Sequence, residues 1–442
     1  MQDSIFFRAL AQSLLAGEPT VELLVDRCSR TLGKHWRWLR PLALRYLKQF
    51  GTATRPRHRD VQRFLSNDAG VRRALLKYSR GLYVSELLTE PQPMQPTSAA
   101  AAWDIAAIQS PGDLAKWLGL DPGELRWFAD LRGLGYKENS PELRHYHYRV
   151  LAKRFGSVRL IEAPKPRLKD LQRQILRWIL EKIPPHPAVH GFVKGRSIKT
   201  FVAPHIGQRV VLRMDLRDFF PTFGGARIQG LFRTLGYPER VADLLGGICT
   251  NAAPREIWDE IVNLGPVDVG NVRRLYSRPH LPQGAPTSPT LANICGYRSD
   301  CRLTALAKSA GANYTRYADD LAFSGGEDFE KSVERFGLQV AEILRDEGLT
   351  VHHRKTRVMR QGVRQHLAGL VTNRRANVAR RGFDRLKAAL TNCVRLGPES
   401  QNREARPRFR AHLEGRVAFV EMINPNKGRR LRAIFERIQW GS

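Results

Sequence analysis

Two short acidic stretches of this 442-residue chain could hold metal ions for chemistry on phosphates. The stretch TRYADDLAFSG (315–325) places Asp319 and Asp320 side by side between two alternating apolar and polar runs, which predicts a β-hairpin with both carboxylates at its tip. The stretch QRVVLRMDLRDFFPTF (208–223) places Asp215 at the end of an apolar strand. Carboxylate oxygens suit Mg²⁺, whose charge offsets the repulsion between neighbouring acids. Two such ions can activate a 3′-hydroxyl and stabilise a leaving pyrophosphate.

Each of these acids alone has an ordinary explanation. Aspartate is a common turn residue, and an aspartate at the end of a strand is usually a surface or salt-bridged group. Only the combination of a third acid with the acidic hairpin favours a metal site over these explanations.

The neighbouring segments contain the elements that must position the acids. Residues 210–214 predict a buried strand, and HYHYRVLAKRFGSVRLIEAPK (145–165) predicts a two-stranded ribbon that turns at 155–157. In LPQGAPTSPTLAN (281–293), a glycine-containing loop precedes a helix with Ser288 as its N-cap and Pro289 as its first residue. The motifs SPGDLAKWLGL and DPGELRWFADL likewise predict the starts of two helices.

The charge of the chain points to nucleic acid as its partner. Lys and Arg number 73 against 42 Asp and Glu, and the net charge is +31. An anionic membrane surface would also attract this charge, but no segment has the sequence pattern of an amphipathic anchor or of a membrane-spanning helix. The five cysteines are scattered, which argues against a zinc site or a disulfide framework. We therefore expect a soluble, cytoplasmic protein with no membrane partner.

The order of the motifs resembles that of the reverse transcriptases, and most closely their bacterial retron-type branch. MDLRDFFPTF, LPQGAPTSPTLAN, YTRYADDLAFSG and HRKTRVMRQGVRQHLAGLVTN follow one another as the successive motifs of that family over about 145–375. The resemblance implies an α+β right-hand polymerase with fingers, palm and thumb. Apolar residues at helical spacing, with many basic ones between them, predict a basic helical extension ahead of it. The segments are then an N-terminal domain (1–88), a linker (89–103), a helical lead-in (104–144), fingers (145–208), palm (209–372) and thumb (373–442).

The resemblance also implies roles for individual residues. Asp215 and Asp319 would bind two catalytic Mg²⁺ ions, or Mn²⁺ in their place, with Asp320 completing the cluster and Leu216 among the metal ligands. Phe220 would exclude a ribose 2′-hydroxyl. Further residues would contact the incoming nucleotide or its triphosphate, namely Lys153, Arg159, Gln283, Gly284 and Lys355.

Two stretches depart from the retron pattern. Phe201-Val202 replace an Asn-Ala pair ahead of His205, and Leu367-Ala368-Gly369 replace Val-Thr-Gly. Both family motifs are associated with recognition of a dedicated RNA, so the identity of that RNA and membership among true retrons stay open. The RNA-binding residues implied for this chain are His205, Arg374 and Arg375.

The segment GFVKGRSI (191–198) superficially suggests a phosphate-binding loop. It lacks a Gly-Lys-Ser/Thr ending at the required spacing, so we reject that reading. The segment instead resembles a fingers motif of the family.

The implied function is RNA-directed synthesis of DNA, with a companion structured non-coding RNA as template and a role in bacterial antiphage defence. The implied partners are that RNA, the RNA–DNA duplex, deoxynucleoside triphosphates and an effector protein. An alternative is a reverse transcriptase outside the retrons, protein-primed or template-independent. A second alternative, of another class, is an RNA-binding scaffold with a relic palm.

Overall fold

The fold consists of helices and antiparallel sheets arranged in two compact units. A computed structural model describes residues 2–51, 56–78, 81–88, 94–137, 142, 144–152, 158–263 and 268–440. The first unit comprises Met1–Pro184 and Phe220–Cys295, and the second comprises Pro185–Phe219 and Gly296–Ser442. The predicted mixture of helix and sheet is confirmed, whereas the predicted domain boundaries stay predictions.

Five helices open the first unit, in the region where the apolar spacing predicts helical structure: α1 (Gln2–Leu15), α2 (Val21–Thr31), α3 (Leu39–Phe50), α4 (His58–Asn67) and α5 (Ala69–Lys77). Their apolar faces share one core that contains Leu10, Leu24 and Leu42. Burial of these faces, rather than helix propensity, stabilises such short helices.

The next elements lead to a two-stranded ribbon. They are a 3₁₀ turn (Ala101–Trp103), α6 (Pro111–Leu118), α7 (Pro122–Ala129), α8 (Leu134–Lys137), β1 (Tyr146–Ala152) and β2 (Val158–Pro164). Ser110 and Asp121 cap α6 and α7 with a proline in the first turn, as their motifs predict. β1 pairs with β2 in antiparallel register. The predicted ribbon turn at 155–157, like Lys153, lies outside the described residues.

The chain then passes between the units. It continues through α9 (Pro166–Trp178) and a 3₁₀ turn (Leu180–Lys182) of the first unit, then α10 (Ile198–Val202), a 3₁₀ turn (Ala203–His205) and β3 (Val210–Arg217) of the second. It returns to the first unit within α11 (Phe219–Thr222). That unit is completed by α12 (Gly225–Thr234), α13 (Glu239–Cys249), α14 (Arg255–Asn263), α15 (Val269–Tyr276) and α16 (Ser288–Cys295).

The second unit is built on a sheet with β3 at its centre. Its remaining helices are α17 (Tyr297–Ser309), α18 (Glu327–Asp346), α19 (Arg380–Leu396), α20 (Phe409–Ile423) and α21 (Pro425–Phe435), with 3₁₀ turns at His353–Lys355 and Pro398–Ser400. Its remaining strands are β4 (Asn313–Tyr317), β5 (Asp320–Gly325), β6 (Thr350–Val351), β7 (Arg357–Arg360), β8 (His366–Leu367), β9 (Leu370–Val371) and β10 (Asn377–Val378).

The antiparallel strand order of the central sheet is β4-β5-β3-β6, with β7 also paired to β3, while β10-β9-β8 form a separate sheet. One long helix, α18, packs phenylalanines on the central sheet, with the rings of Phe336 and Phe323 centred 5.1 Å apart. The last three helices share their own core, which includes Leu390, Leu413 and Leu431. β3 is buried along almost its whole length, and this burial sets its register in the sheet.

Within the described parts of the chain, no helix is both long enough and apolar enough to cross a membrane.

Candidate active site

The acidic hairpin predicted from the sequence is present in the second unit. β4 and β5 pair up to Tyr317 and Asp320, so Ala318 and Asp319 form the two-residue turn between them. Ala318 has a φ of 56°, in the left-handed region that a non-glycine residue rarely adopts. Such strain is often found at functional sites, because the surrounding structure must hold it in place.

The third acid lies directly across the sheet from this hairpin. Asp215 of β3 is the register partner of Asp320 in β5. The backbone N–H of Leu216 donates to the carbonyl of Asp319 over 2.8 Å, which ties the turn to β3. The structure therefore brings Asp215 next to two aspartates that lie about a hundred residues later in the sequence.

Burial and mutual repulsion set the electrostatics of the three acids. Burial raises the pKa of Asp319, and the nearby Asp215 raises it further. Burial also raises the pKa of Asp320, although Arg213 acts against this shift. The carboxyl groups of Asp319 and Asp320 are therefore harder to ionise than that of an exposed aspartate.

Two basic side chains partly neutralise the acids. The Lys355 Nζ lies 2.7 Å from Asp215 Oδ1. The Arg213 guanidinium donates twice to Asp320 Oδ1, over 2.9 Å from Nε and 2.7 Å from Nη2. Sequence reasoning missed the Arg213 contact, although an arginine inside an otherwise apolar strand is a signal for a buried charge partner.

The donor set suits a hard divalent cation. Among the described residues, no three His, Cys, Asp or Glu side chains are grouped closely enough to hold a metal ion as they stand. Instead, Lys355 and Arg213 supply the positive charge that the carboxylates of Asp215 and Asp320 require. A divalent cation that binds these oxygens would take over that role, and carboxylate oxygens are the ligands that Mg²⁺ prefers.

The raised carboxyl pKa values predict how pH affects the metal-free protein. The folded state keeps protons on Asp319 and Asp320 to a higher pH than the unfolded chain does. The free energy of unfolding should therefore fall as pH rises from the ordinary carboxyl pKa, about 3.9, through the raised values. Mg²⁺ should offset this loss and raise Tm by at least about 2 °C more near pH 8 than near pH 5. Thermal unfolding with and without Mg²⁺ at each pH measures this difference in Tm. An equal increase in Tm at both pH values would contradict the prediction.

A buried ion pair supports the hairpin from within the second unit. Arg316 of β4 is 3 % exposed and forms two hydrogen bonds to the carboxylate of Asp300, at 2.8 Å and 2.7 Å. Its Nη1 also donates to the carbonyl of Ala318 over 3.1 Å. Sequence reasoning did not single out this pair, which holds the strained turn in place.

The GFVKGRSI segment begins beside the same turn. The Arg316 N–H donates to the Ala188 carbonyl over 2.8 Å, and the His190 N–H donates to the Arg316 carbonyl over 2.7 Å. A Cβ added to Gly191 would lie only 2.5 Å from the backbone nitrogen of Ala318. The glycine is therefore required by a close backbone approach rather than by phosphate binding.

Comparison with known proteins identifies the family. The model of the family "Reverse transcriptase (RNA-dependent DNA polymerase)" matches residues 151–369. Retron Mx65 reverse transcriptase of Myxococcus xanthus is 40% identical over 335 residues, which cover 75% of this chain and 72% of the relative. The chain belongs to the retron reverse transcriptases. It is an RNA-directed DNA polymerase.

Two further relatives show the breadth of the match of this reverse transcriptase. Retron Mx162 reverse transcriptase of Myxococcus xanthus is 38% identical over 345 residues, covering 75% of this chain and 67% of the relative. Retron Ec86 reverse transcriptase of Escherichia coli is 30% identical over 283 residues, covering 64% of this chain and 77% of the relative. The departures at Phe201-Val202 and Leu367-Ala368-Gly369 therefore do not place the enzyme outside the family.

The residues implied to contact the nucleotide lie partly in the first unit of the reverse transcriptase. Arg159 lies on β2, and the carbonyl of Gln283 accepts a hydrogen bond from the Glu162 N–H of that strand over 2.9 Å. Gly284 has a φ of 138°. The helix that follows begins one residue earlier than predicted, because the carbonyl of Thr287 accepts from the Leu291 N–H.

The prediction that His205 binds RNA is contradicted by its position in the enzyme. The side chain is fully buried, with Nδ1 2.6 Å from Ser324 Oγ and Nε2 2.7 Å from Thr315 Oγ1. Burial, together with the nearby His190, lowers its pKa to about 3. Because both ring nitrogens are used inside the protein, His205 joins β4 and β5 instead of contacting RNA. Arg374 and Arg375 are exposed, and their RNA contact stays a prediction.

Proposed function

We propose that this reverse transcriptase copies a companion structured non-coding RNA into DNA at the three aspartates of the second unit. The observation that carries the proposal is the direct pairing of Asp215 with Asp320, next to the turn that presents Asp319. In the reaction, the primer 3′-oxygen loses its proton and bonds to the α-phosphorus of a deoxynucleoside triphosphate. The bond between the α-phosphorus and the bridging oxygen then breaks, and pyrophosphate leaves.

Two Mg²⁺ ions, or Mn²⁺ in their place, would be held by Asp215, Asp319 and Asp320, with Leu216 contributing its backbone carbonyl. When bound, such ions lower the pKa of the attacking hydroxyl and neutralise charge on the leaving group. Arg213 keeps Asp320 in position through its double contact, as a preorganised site requires.

Lys355 has a proposed role at the end of the reaction. Its ammonium group contacts Asp215, and its side chain is 45% exposed. It can therefore turn toward a ligand once a bound cation has replaced it beside the buried Asp215. A lysine in this motif could donate a proton to the departing pyrophosphate, as the resemblance implies.

Residues of the first unit have proposed roles in nucleotide binding. Arg159 and Lys153 would hold the triphosphate, although Lys153 lies outside the described residues. Gln283 and Gly284 would contact the incoming nucleotide and the template base, and Phe220 would exclude ribonucleotides. These assignments follow the motifs of the family residue by residue.

The right-hand arrangement of fingers, palm and thumb is part of the proposal. Residues 371–442, the C-terminal helices and the loop before them, contain 17 Lys and Arg against 6 Asp and Glu. A surface of this charge would contact the phosphates of a template–primer duplex largely without regard to sequence. Arg374 and Arg375 would add contacts to the companion RNA.

The companion RNA and the defence role rest on the retron relatives. We expect enzyme purified from its host to carry one abundant structured RNA and a DNA copied from part of it, because retron relatives work with a non-coding RNA template. Sequencing the co-purified nucleic acids tests this expectation, with an Asp319→Asn enzyme as the control that should retain RNA and lack the DNA. Recovery of DNA attached to a protein side chain, or DNA made without RNA, would instead support protein-primed or template-independent synthesis. An effector protein and a cytoplasmic role in antiphage defence complete the proposal.

A further inference from the structure

The first unit contains a buried charged pair that the proposed chemistry does not use. Glu162 of β2 is 0% exposed and His280 is 1% exposed. His280 Nε2 lies 2.9 Å from Glu162 Oε2, and its Nδ1 lies 2.8 Å from the Arg278 carbonyl oxygen. Both neighbours are acceptors, so both ring nitrogens carry protons and the imidazole is a cation. Burial lowers the pKa of His280, but the charge and hydrogen bond of Glu162 outweigh it and raise the pKa overall.

The rest of the network is satisfied as well. Glu162 Oε1 accepts from Asn251 Nδ2 over 2.8 Å, and the same amide donates to the Tyr148 hydroxyl over 3.0 Å. Asn251 and His280 also exchange two backbone hydrogen bonds, of 3.0 Å and 2.9 Å. His280 is therefore held by its backbone and by both ring nitrogens, which leaves it a single arrangement.

The same glutamate also contacts the other end of the segment His280–Gly284. Its backbone N–H donates to the Gln283 carbonyl over 2.9 Å. A Cβ on Gly284 would lie 2.8 Å from the Glu162 carbonyl oxygen, so only glycine allows this approach. One residue thus holds a five-residue segment at both ends, through its carboxylate at His280 and its backbone at Gln283. Arg159 lies three residues earlier on the same strand.

We propose that Glu162 is a positioning residue for nucleotide binding, whose ion pair with His280 holds the His280–Gly284 segment against the strand that carries Arg159. The pair thereby keeps Gln283 and Arg159 at one spacing, suited to a deoxynucleoside triphosphate. This inference rests on the proposed nucleotide contacts of Gln283 and Arg159.

An ion pair is suited to this task for a physical reason. A well-packed apolar pair is often as stable as a buried ion pair, or more so, but it does not define a single hydrogen-bonded register. The charge-assisted network of Glu162 admits one arrangement of donors and acceptors, so a displaced segment would leave a buried charge unpaired. The loop therefore has little freedom to shift relative to β2.

The test compares Glu162→Gln and His280→Gln with the control Gln172→Leu. Gln172 is equally buried and donates to the Tyr146 hydroxyl and the Ile248 carbonyl, over 2.9 Å and 2.8 Å, with neither contact in the loop. All three variants lose buried polar contacts, so all should unfold at a lower temperature. With poly(rA)/oligo(dT) and dTTP, the Glu162 and His280 variants should raise KM for dTTP by about 10- to 100-fold, with kcat per active site within about threefold.

A merely structural role would lower the amount of active enzyme and leave KM for dTTP at the value of the Gln172→Leu control. That result in both variants would overturn the inference. The double variant Glu162→Gln/His280→Gln gives a second readout. Because Glu162 and His280 act as a unit, its KM for dTTP should be no higher than that of the worse single variant. A KM raised by the product of the two single-variant effects would contradict a joint role of the two residues.

A Gln283→Ala variant separates this inference from the proposed function. If KM for dTTP rises in Gln283→Ala but not in the Glu162 and His280 variants, the positioning role is overturned and the proposed nucleotide contact of Gln283 stands. An unchanged KM in Gln283→Ala would instead remove the proposed contact on which the inference rests.

Discussion

Replacing Asp319 with asparagine is expected to reduce DNA synthesis by about 1,000-fold or more while making the metal-free protein more stable. The loss follows because a neutral amide cannot neutralise a divalent cation at the turn between β4 and β5. The gain follows because burial and Asp215 raise the pKa of Asp319, so the ionised carboxylate is unfavourable in the folded state. Removing that charge should stabilise the metal-free enzyme by about 1 kcal/mol.

Primer extension and thermal unfolding without Mg²⁺ measure the two effects in the same preparation. The matched control is Asp328→Asn, because the side chain of Asp328 is 100% exposed at the start of α18. It should change neither activity nor Tm appreciably. Primer extension by Asp319→Asn at the wild-type rate would contradict the role of Asp319 in catalysis. Full biological activity of an Asp319→Ala/Asp320→Ala variant would support the relic-palm scaffold. A lower Tm in the metal-free variant would contradict the electrostatic account.

The second large effect is expected from Gly191→Ala, a change of one methyl group outside the acidic residues. The added Cβ would lie 2.5 Å from the Ala318 nitrogen and 3.1 Å from the Tyr317 carbonyl carbon. Both are backbone atoms, so no side chain can rotate away and the turn that carries Asp319 must shift. Displacement of a reacting group by about 1 Å can cost about 100-fold in rate, and we expect a loss of kcat of that order.

Steady-state kinetics and Tm distinguish this displacement from general unfolding. The control is Gly415→Ala, because Gly415 is exposed on α20 and its added Cβ would have no neighbour within 4 Å. Alanine there should leave activity unchanged and stabilise the helix by about 0.5–1 kcal/mol. Gly191→Ala activity within about twofold of wild type would show that the turn tolerates the shift, contrary to the packing described here.

The local elements around the site were predictable because their signals are short-range. The alternation in TRYADDLAFSG was enough for the hairpin, and Ser110 and Asp121 marked two helix starts through caps within three residues. Predicting Pro289 instead of Ser288 as the first helical residue was a one-residue error of the kind expected at helix ends. His205 was misassigned because its motif does not reveal that the ring is buried.

The sequence by itself determined the chemistry of this reverse transcriptase: three carboxylates in the motif order of its family, in a strongly basic chain. Only the tertiary structure decided how those acids are neutralised, supported and positioned. Arg213 meets Asp320 across 107 residues, Lys355 meets Asp215 across 140, and Glu162 meets His280 across 118. Such pairs leave no local pattern, because folding brings the partners together from distant parts of the chain. Each pair contains a carboxylate that is mostly buried, and a buried charge without a counter-charge is too costly to keep.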